Sequence, residues 1–201
     1  MPMLTVFLGN PGKQYAKTRH NVAWRLLESL EPRWAPGWQQ KFNGRFAQIS
    51  PVAGAAGGAG GGGTSARGGV VLLVPETFMN KSGDSVQPCA RYFRIPPERI
   101  IVVHDDTEIS FGEIGLKRGG GLGGNNGLKS TAERLGSRDF YRLRIGVSRP
   151  RHGSLSSHVL GKFTAEEEAE LDHVLRAAGD LLEEAWREGP SERRPVPARP
   201  S

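Results

Sequence analysis

The residues of this chain whose types suit chemistry are one imidazole, one carboxylate and several carboxamides: His20, Asp105, Asn10, Asn80 and Asn126. Such a set can run general-base hydrolysis. An imidazole, which ordinarily titrates near neutrality, can take a proton from water. A carboxylate beside it fixes the tautomer and stabilises the cation that forms. Neutral amide donors can hold a carbonyl or steady the charge developing on its oxygen. Covalent and metal routes have less support. There is no Gly-x-Ser-x-Gly elbow, and five scattered histidines and a single cysteine, Cys89, lack metal-ligand spacing.

These residues need elements that bring them together. Leu4–Leu8 is a short apolar run that stops at Gly9-Asn10-Pro11-Gly12, as a buried strand does on meeting a turn. The loop then carries Tyr15, Lys17, Arg19 and His20 before Val22, Ala23, Leu26, Leu27 and Leu30 take up helical spacing, which Pro32 closes. Val70–Val74 is a second apolar strand, ending at Thr77-Phe78-Met79-Asn80, and Ile100–Val103 is a third, ending at His104-Asp105-Asp106. Parallel neighbours would deliver Asn10, Asn80 and Asp105 to one sheet edge, where open α/β folds place their ligands.

The remaining segments fill in this frame. Phe42–Val52 reads as a strand, and residues 54–69 as a flexible Gly/Ala-rich insertion. Ser82 is a candidate cap for a helix holding Val86, Cys89, Ala90 and Phe93, although Pro88 strains that assignment. Gly119–Gly124 is a glycine-rich loop before a short helix with Leu128, Ala132 and Leu135, for which Asn126 is either the N-cap or a ligand contact. Phe140–Val147 alternates like a strand displaying Arg142 and Arg144 on one face, and 148–160 reads as a polar loop or strand edge. Thr164-x-x-Glu167 is a capping box opening an amphipathic helix with Leu171, Val174, Leu175, Ala178, Leu181, Leu182 and Ala185 as its apolar stripe. The expected fold class is α/β: one domain over 1–188, a mixed twisted β-sheet flanked by α-helices, followed by a disordered Pro/Arg-rich tail over 189–201.

Charge narrows the partner. The formal net charge is +6, yet residues 163–188 hold nine carboxylates against two arginines, a net of −7, so the rest of the chain carries +13. A basic body of this kind attracts a polyanion, most commonly nucleic acid. No stretch approaches the roughly 20 apolar residues of a membrane span. With one cysteine and no basic-then-apolar leader, a reducing cytoplasmic setting is expected.

Taken in order, GNPG with Tyr15 and RHN, then TFMN, HDD, KRGGGLGGNNGLK and FYRLRIGVSRP resemble the bacterial peptidyl-tRNA hydrolase family from about Thr5 to Phe163. The resemblance implies a monomeric hydrolase, free of metal and organic cofactor, acting in translation. Its reaction would break the ester between peptide and tRNA and release the tRNA for reuse. By the same resemblance His20 is the base and Asp105 its partner, and Asn10 helps tell N-blocked from free aminoacyl esters. Tyr15, Phe78, Asn80 and Asn126 match substrate contacts, with Met79 in the same loop, and Lys117 and Arg144 match tRNA-binding cations. Two positions depart from the pattern: Asn125 stands where His is frequent, and Gly115 where a second lysine is common. Two other readings stay open from the residues alone: an RNA-binding relative without turnover, and a nucleotide-binding enzyme using Gly119–Gly124. The retained polar set argues against the first, and the missing Walker lysine and acidic ribose ligand against the second.

Overall fold

The structure, a computed structural model, describes residues 1–50 and 69–198. Except for Gly69, the expected flexible insertion at 54–69 lies outside the described residues.

Three apolar runs form the centre of the sheet: β1 (Met3–Phe7), β4 (Val70–Pro75) and β5 (Ile100–Asp106), every residue buried. Burial on both faces is what near-continuous Val/Ile/Leu runs predict for parallel strands. β1 pairs in parallel with β4 on one side and β5 on the other, and β5 pairs in parallel with β7 (Tyr141–Gly146). Antiparallel strands flank this core: β2 (Gln39–Lys41) and β3 (Gly44–Ile49) beyond β4, and β6 (Glu113–Arg118) and β8 (Arg193–Pro197) beyond β7. The order is β2-β3-β4-β1-β5-β7-β6-β8. The expected mixed sheet with flanking helices is what the chain forms.

Alternate residues of the central strands feed two cores. Phe7, Leu72, Ile101 and Val103 pack on one face with α1 (Val22–Trp34) and α5 (Ala165–Glu188). Leu4, Val6, Leu73 and Val102 pack on the other with α2 (Gly83–Tyr92) and α3 (Asn126–Leu135). Part of the acidity of α5 is spent within the molecule. Glu167, Glu168 and Glu183 pair with Arg19, Arg25 and Arg33, which lie in or just before α1.

Several local expectations are corrected. Pro32 does not close α1, which runs on to Trp34 and ends at Ala35 in the left-handed region. Phe42 is not in a strand: Phe42 and Asn43, at φ 61° and 53°, form the two-residue turn of the β2–β3 hairpin. Pro88 does lie inside α2, where it leaves the Asp84 carbonyl without its helical donor, and the Asn43 amide approaches that oxygen at 3.3 Å. The 148–160 segment contains a short helix, α4 (Leu155–Val159). The tail expected to be disordered instead supplies β8, paired with β6.

Candidate active site

The chain leaves β1, crosses to β4 on one side and then returns to β5 on the other. The strand order therefore reverses at β1, and the carboxyl ends of β1 and β5 open a crevice of the kind that holds ligands in open α/β sheets. A cavity of about 560 Å³ lies there. Asn10, Tyr15, His20, Phe78, Asn80, Asp105 and Asn126 all line it, so seven of the nine residues singled out from sequence meet in one place.

The β1 loop is built tightly. Gly9 is required by close approach, since a Cβ there would lie 2.5 Å from the Trp24 indole nitrogen, whose N–H donates to the Phe7 carbonyl. Asn21, fully buried, accepts from the Asn10 backbone N–H at 2.9 Å and donates to the Asn10 carbonyl at 2.9 Å. The Asn10 side-chain oxygen accepts from the Met79 backbone N–H at 2.8 Å, joining the β1 loop to the loop after β4. That bond commits the oxygen and leaves the Asn10 amide N–H₂ as the group available to the cavity. Arg19, next to His20, turns inward, pairing with Glu167 and donating to the Lys162 carbonyl, so it anchors the loop.

His20 sits in a 3₁₀ turn just before α1. Its Nδ1 is 2.8 Å from Asp105 Oδ1, with the His20 side chain 11% exposed and that of Asp105 2%. A buried carboxylate at this distance takes the Nδ1 proton in hydrogen bond, which leaves Nε2 on the opposite edge of the ring as the basic atom. Asp105 Oδ1 also accepts from Asn125 Nδ2 at 3.2 Å. Asn125 is the N-cap of α3, its Oδ1 accepting from the Gly127 and Leu128 N–H groups at 2.9 and 3.1 Å. The cap is thus Asn125 rather than Asn126, and Asn126, at the first helical position, is exposed and lines the cavity. Phe78, 56% exposed, meets Tyr15 edge-to-face with ring centroids 6.5 Å apart, forming an aromatic wall.

Lys117 and Arg144 do not line the cavity. They lie on β6 and β7, on the sheet face opposite Leu116 and Leu143, and Lys117 is exposed. Arg144 is mostly covered and bound 2.7 Å from Asp106. Burial alone would push the Asp106 carboxyl up, but neighbouring His104 and the Arg144 guanidinium hold it below the usual carboxylate range. The expected strand displaying cations is therefore corrected. Arg142 is 4% exposed and donates to the carbonyls of Gly119 and Gly121, pinning the glycine-rich loop over the sheet. Burial pushes its guanidinium down from the ordinary arginine value. His104, also buried, donates from Nδ1 to the Asp105 carbonyl, and burial lowers its basicity below that of an ordinary imidazole.

Sequence reasoning gave Asn21 and Arg142 no role in the site and noted Asn125 only as a departure from the family pattern. Each is a polar residue held by side-chain hydrogen bonds to a distant part of the chain, which no local pattern marks. Among the described residues no group of three His, Cys, Asp or Glu is placed to hold a metal ion, and no helix is long and apolar enough to cross a membrane.

Comparison with known proteins agrees with this geometry. The family profile described as peptidyl-tRNA hydrolase matches residues 4–195. The chain is 44% identical over 181 residues to peptidyl-tRNA hydrolase of Treponema pallidum, covering 89% of this chain and 84% of that one. It is 42% identical over 184 residues to the enzyme of Mycolicibacterium smegmatis, covering 90% of each. Among solved structures, peptidyl-tRNA hydrolase from Acinetobacter baumannii superposes with a TM-score of 0.78 at 34% identity, over 92% of this chain and 89% of that one. A peptidyl-tRNA hydrolase complexed with N-propanol gives 0.78 at 35% identity, over 93% and 89%. A shared profile across nearly the whole length, on a matching fold, leaves one assignment: the chain belongs to the peptidyl-tRNA hydrolase family.

Proposed function

We propose that this chain hydrolyses peptidyl-tRNA with His20 as general base, Asp105 as its orienting anion and Asn10 as the donor that reads the substrate's acyl group. The hydrolysis of peptidyl-tRNA follows from the family; the residue roles rest on the 2.8 Å contact between His20 Nδ1 and a buried Asp105. In this reading Nε2 takes a proton from a water as that water attacks the ester carbonyl. The bond to the ribose oxygen then breaks, and the imidazolium returns its proton to that oxygen. Peptide acid and free tRNA leave, and no covalent intermediate is needed, because an ester is already activated relative to an amide.

Asn10 donates only from its amide, since its oxygen is held by Met79. A fixed N–H₂ favours a carbonyl acceptor, such as the acyl group of an N-blocked amino acid, over a free ammonium, which has no lone pair to offer. Tyr15 and Phe78 give the ribose or adenine an aromatic wall, and Asn80 and Asn126, both exposed on the cavity rim, supply further polar contacts. Lys117 on β6 and Arg144 on the neighbouring β7 meet tRNA phosphate, adding affinity that does not depend on sequence. We place the enzyme in the cytoplasm as a monomer that uses no cofactor.

The test is turnover of N-acetyl-aminoacyl-tRNA by His20→Ala. Loss of a general base costs about 10²–10⁴ in kcat. A kcat within tenfold of the parent protein contradicts the assignment. Release of unblocked aminoacyl-tRNA at the same kcat/KM would remove the role given to Asn10.

A further inference from the structure

The reaction leaves strand β8 without a purpose, yet β6 is shaped to receive it. Arg193–Pro197 contains two prolines, which bring no N–H to a ladder, so the strand is poorly suited to the sheet on composition alone. Opposite it stands Gly115. A Cβ at that position would lie 3.0 Å from the Arg193 carbonyl oxygen and 3.1 Å from the Pro195 nitrogen. A Cβ there would press on the Arg193 and Pro195 backbone, so glycine lets the strand lie close. The pairing is irregular at the same point: Ile114 stands opposite Val196 and Leu116 opposite Arg193, so Arg194 and Pro195 together face Gly115. A bulge of this kind re-aims a side chain.

The direction follows from the neighbours. Ile114 and Leu116 turn into the core beneath α1 and α5. Gly115 and Lys117 therefore face the other way, as do Arg142 and Arg144, with which they are in register. Arg193 turns towards α5, where it pairs with Glu184. Alternation puts the next residue, Arg194, on the side of Gly115 and Lys117. Arg194 is exposed and, among the described residues, has no carboxylate partner, nor has Lys117. Arg118, Arg134 and Arg149 are exposed too, but each is neutralised, by Asp139, Asp84 and Glu108 respectively.

We infer that β8 is part of the tRNA-binding surface: the gap at Gly115 seats the strand so that Arg194 joins Lys117 on one run of backbone phosphates. This rests on the reading of Lys117 as a phosphate contact, and the experiment separates the two. Equilibrium binding of deacylated tRNA is measured against salt for the full chain and for Arg194→Ala, Lys117→Ala and Arg176→Ala, the last an exposed arginine of α5 on the far face. Losing one phosphate contact lowers the slope of log K against log salt by about 0.7–0.9. Arg194→Ala and Lys117→Ala are each expected to show that drop, and Arg176→Ala no change. An unchanged slope for Arg194→Ala beside a reduced one for Lys117→Ala overturns the role of β8 alone. Unchanged slopes for both overturn the whole face. An equal loss in Arg176→Ala reduces the effect to net charge and also overturns the inference.

Discussion

Replacing Asp105 by Asn tests the centre of the mechanism with almost no change of shape. The amide oxygen of Asn can still accept from His20 Nδ1 and Asn125 Nδ2, which both reach Asp105 Oδ1 in the parent protein. What vanishes is the negative charge facing the imidazolium as the proton moves. With the hydrogen-bonded atoms 2.8 Å apart, the two charge centres stand ~4 Å from one another, and at an effective dielectric of about 20 their attraction is about 4 kcal/mol. The neutral ground state feels little of this, so the loss falls on kcat rather than KM, by about 10²–10³. The assay is steady-state hydrolysis of N-acetyl-aminoacyl-tRNA, with thermal unfolding measured alongside to show that the fold is intact. A kcat within fivefold of the parent protein, at unchanged stability, refutes the claim that this anion stabilises the transition state.

Asn125→Ser separates the two tasks of Asn125. Serine still caps α3, so stability is expected to stay within about 0.5 kcal/mol, while its shorter side chain cannot reach Asp105 and kcat falls several-fold; kinetics and thermal melts report the split. Arg142→Lys leaves one of the two carbonyls of Gly119 and Gly121 without its donor, and is expected to cost about 2 kcal/mol in denaturant unfolding and to raise KM. His104 faces Asp105, Asp106 and Arg142, and burial, the largest influence, lowers its proton affinity on folding. The unfolded chain therefore binds the extra proton, and this residue's contribution to stability, present above pH ~6.5, falls by about 1.4 kcal/mol per pH unit as acid is added. His104→Gln should flatten the stability profile between pH 7 and 5, read by urea unfolding; an unaltered profile overturns this account.

The convergence of the site was legible because it depends on where apolar runs end. Leu4–Leu8, Val70–Val74 and Ile100–Val103 read as buried strands, each ending in a polar residue, and their parallel pairing in the sheet brings Asn10, Asn80 and Asp105 to one edge. What could not be read were matters of register and direction. Arg142 and Arg144 alternate with apolar residues as display positions do, but nothing local says that a glycine-rich loop folds over that face and takes up the first guanidinium. Asn125 and Asn126 are the same residue type side by side, and only backbone angles decide which one caps α3. Phe42 in a turn at positive φ runs against its strand propensity, and the β2–β3 pairing overrides it. The ordering of Arg193–Pro197 depends on a gap nearly 80 residues earlier, at Gly115, which composition cannot reveal.

The paired hydrogen bonds between the Asn21 amide and both backbone groups of Asn10 have a consequence for how the enzyme meets its substrate. In the proposed mechanism the base, His20, and the acyl reader, Asn10, belong to one rigid piece, since the residue that clamps Asn10 is covalently next to His20. Their spacing is set when the polypeptide first folds, before any ligand arrives. Heating the free enzyme should therefore abolish turnover in the same transition that melts the sheet, with no earlier stage in which a folded protein has lost its competence.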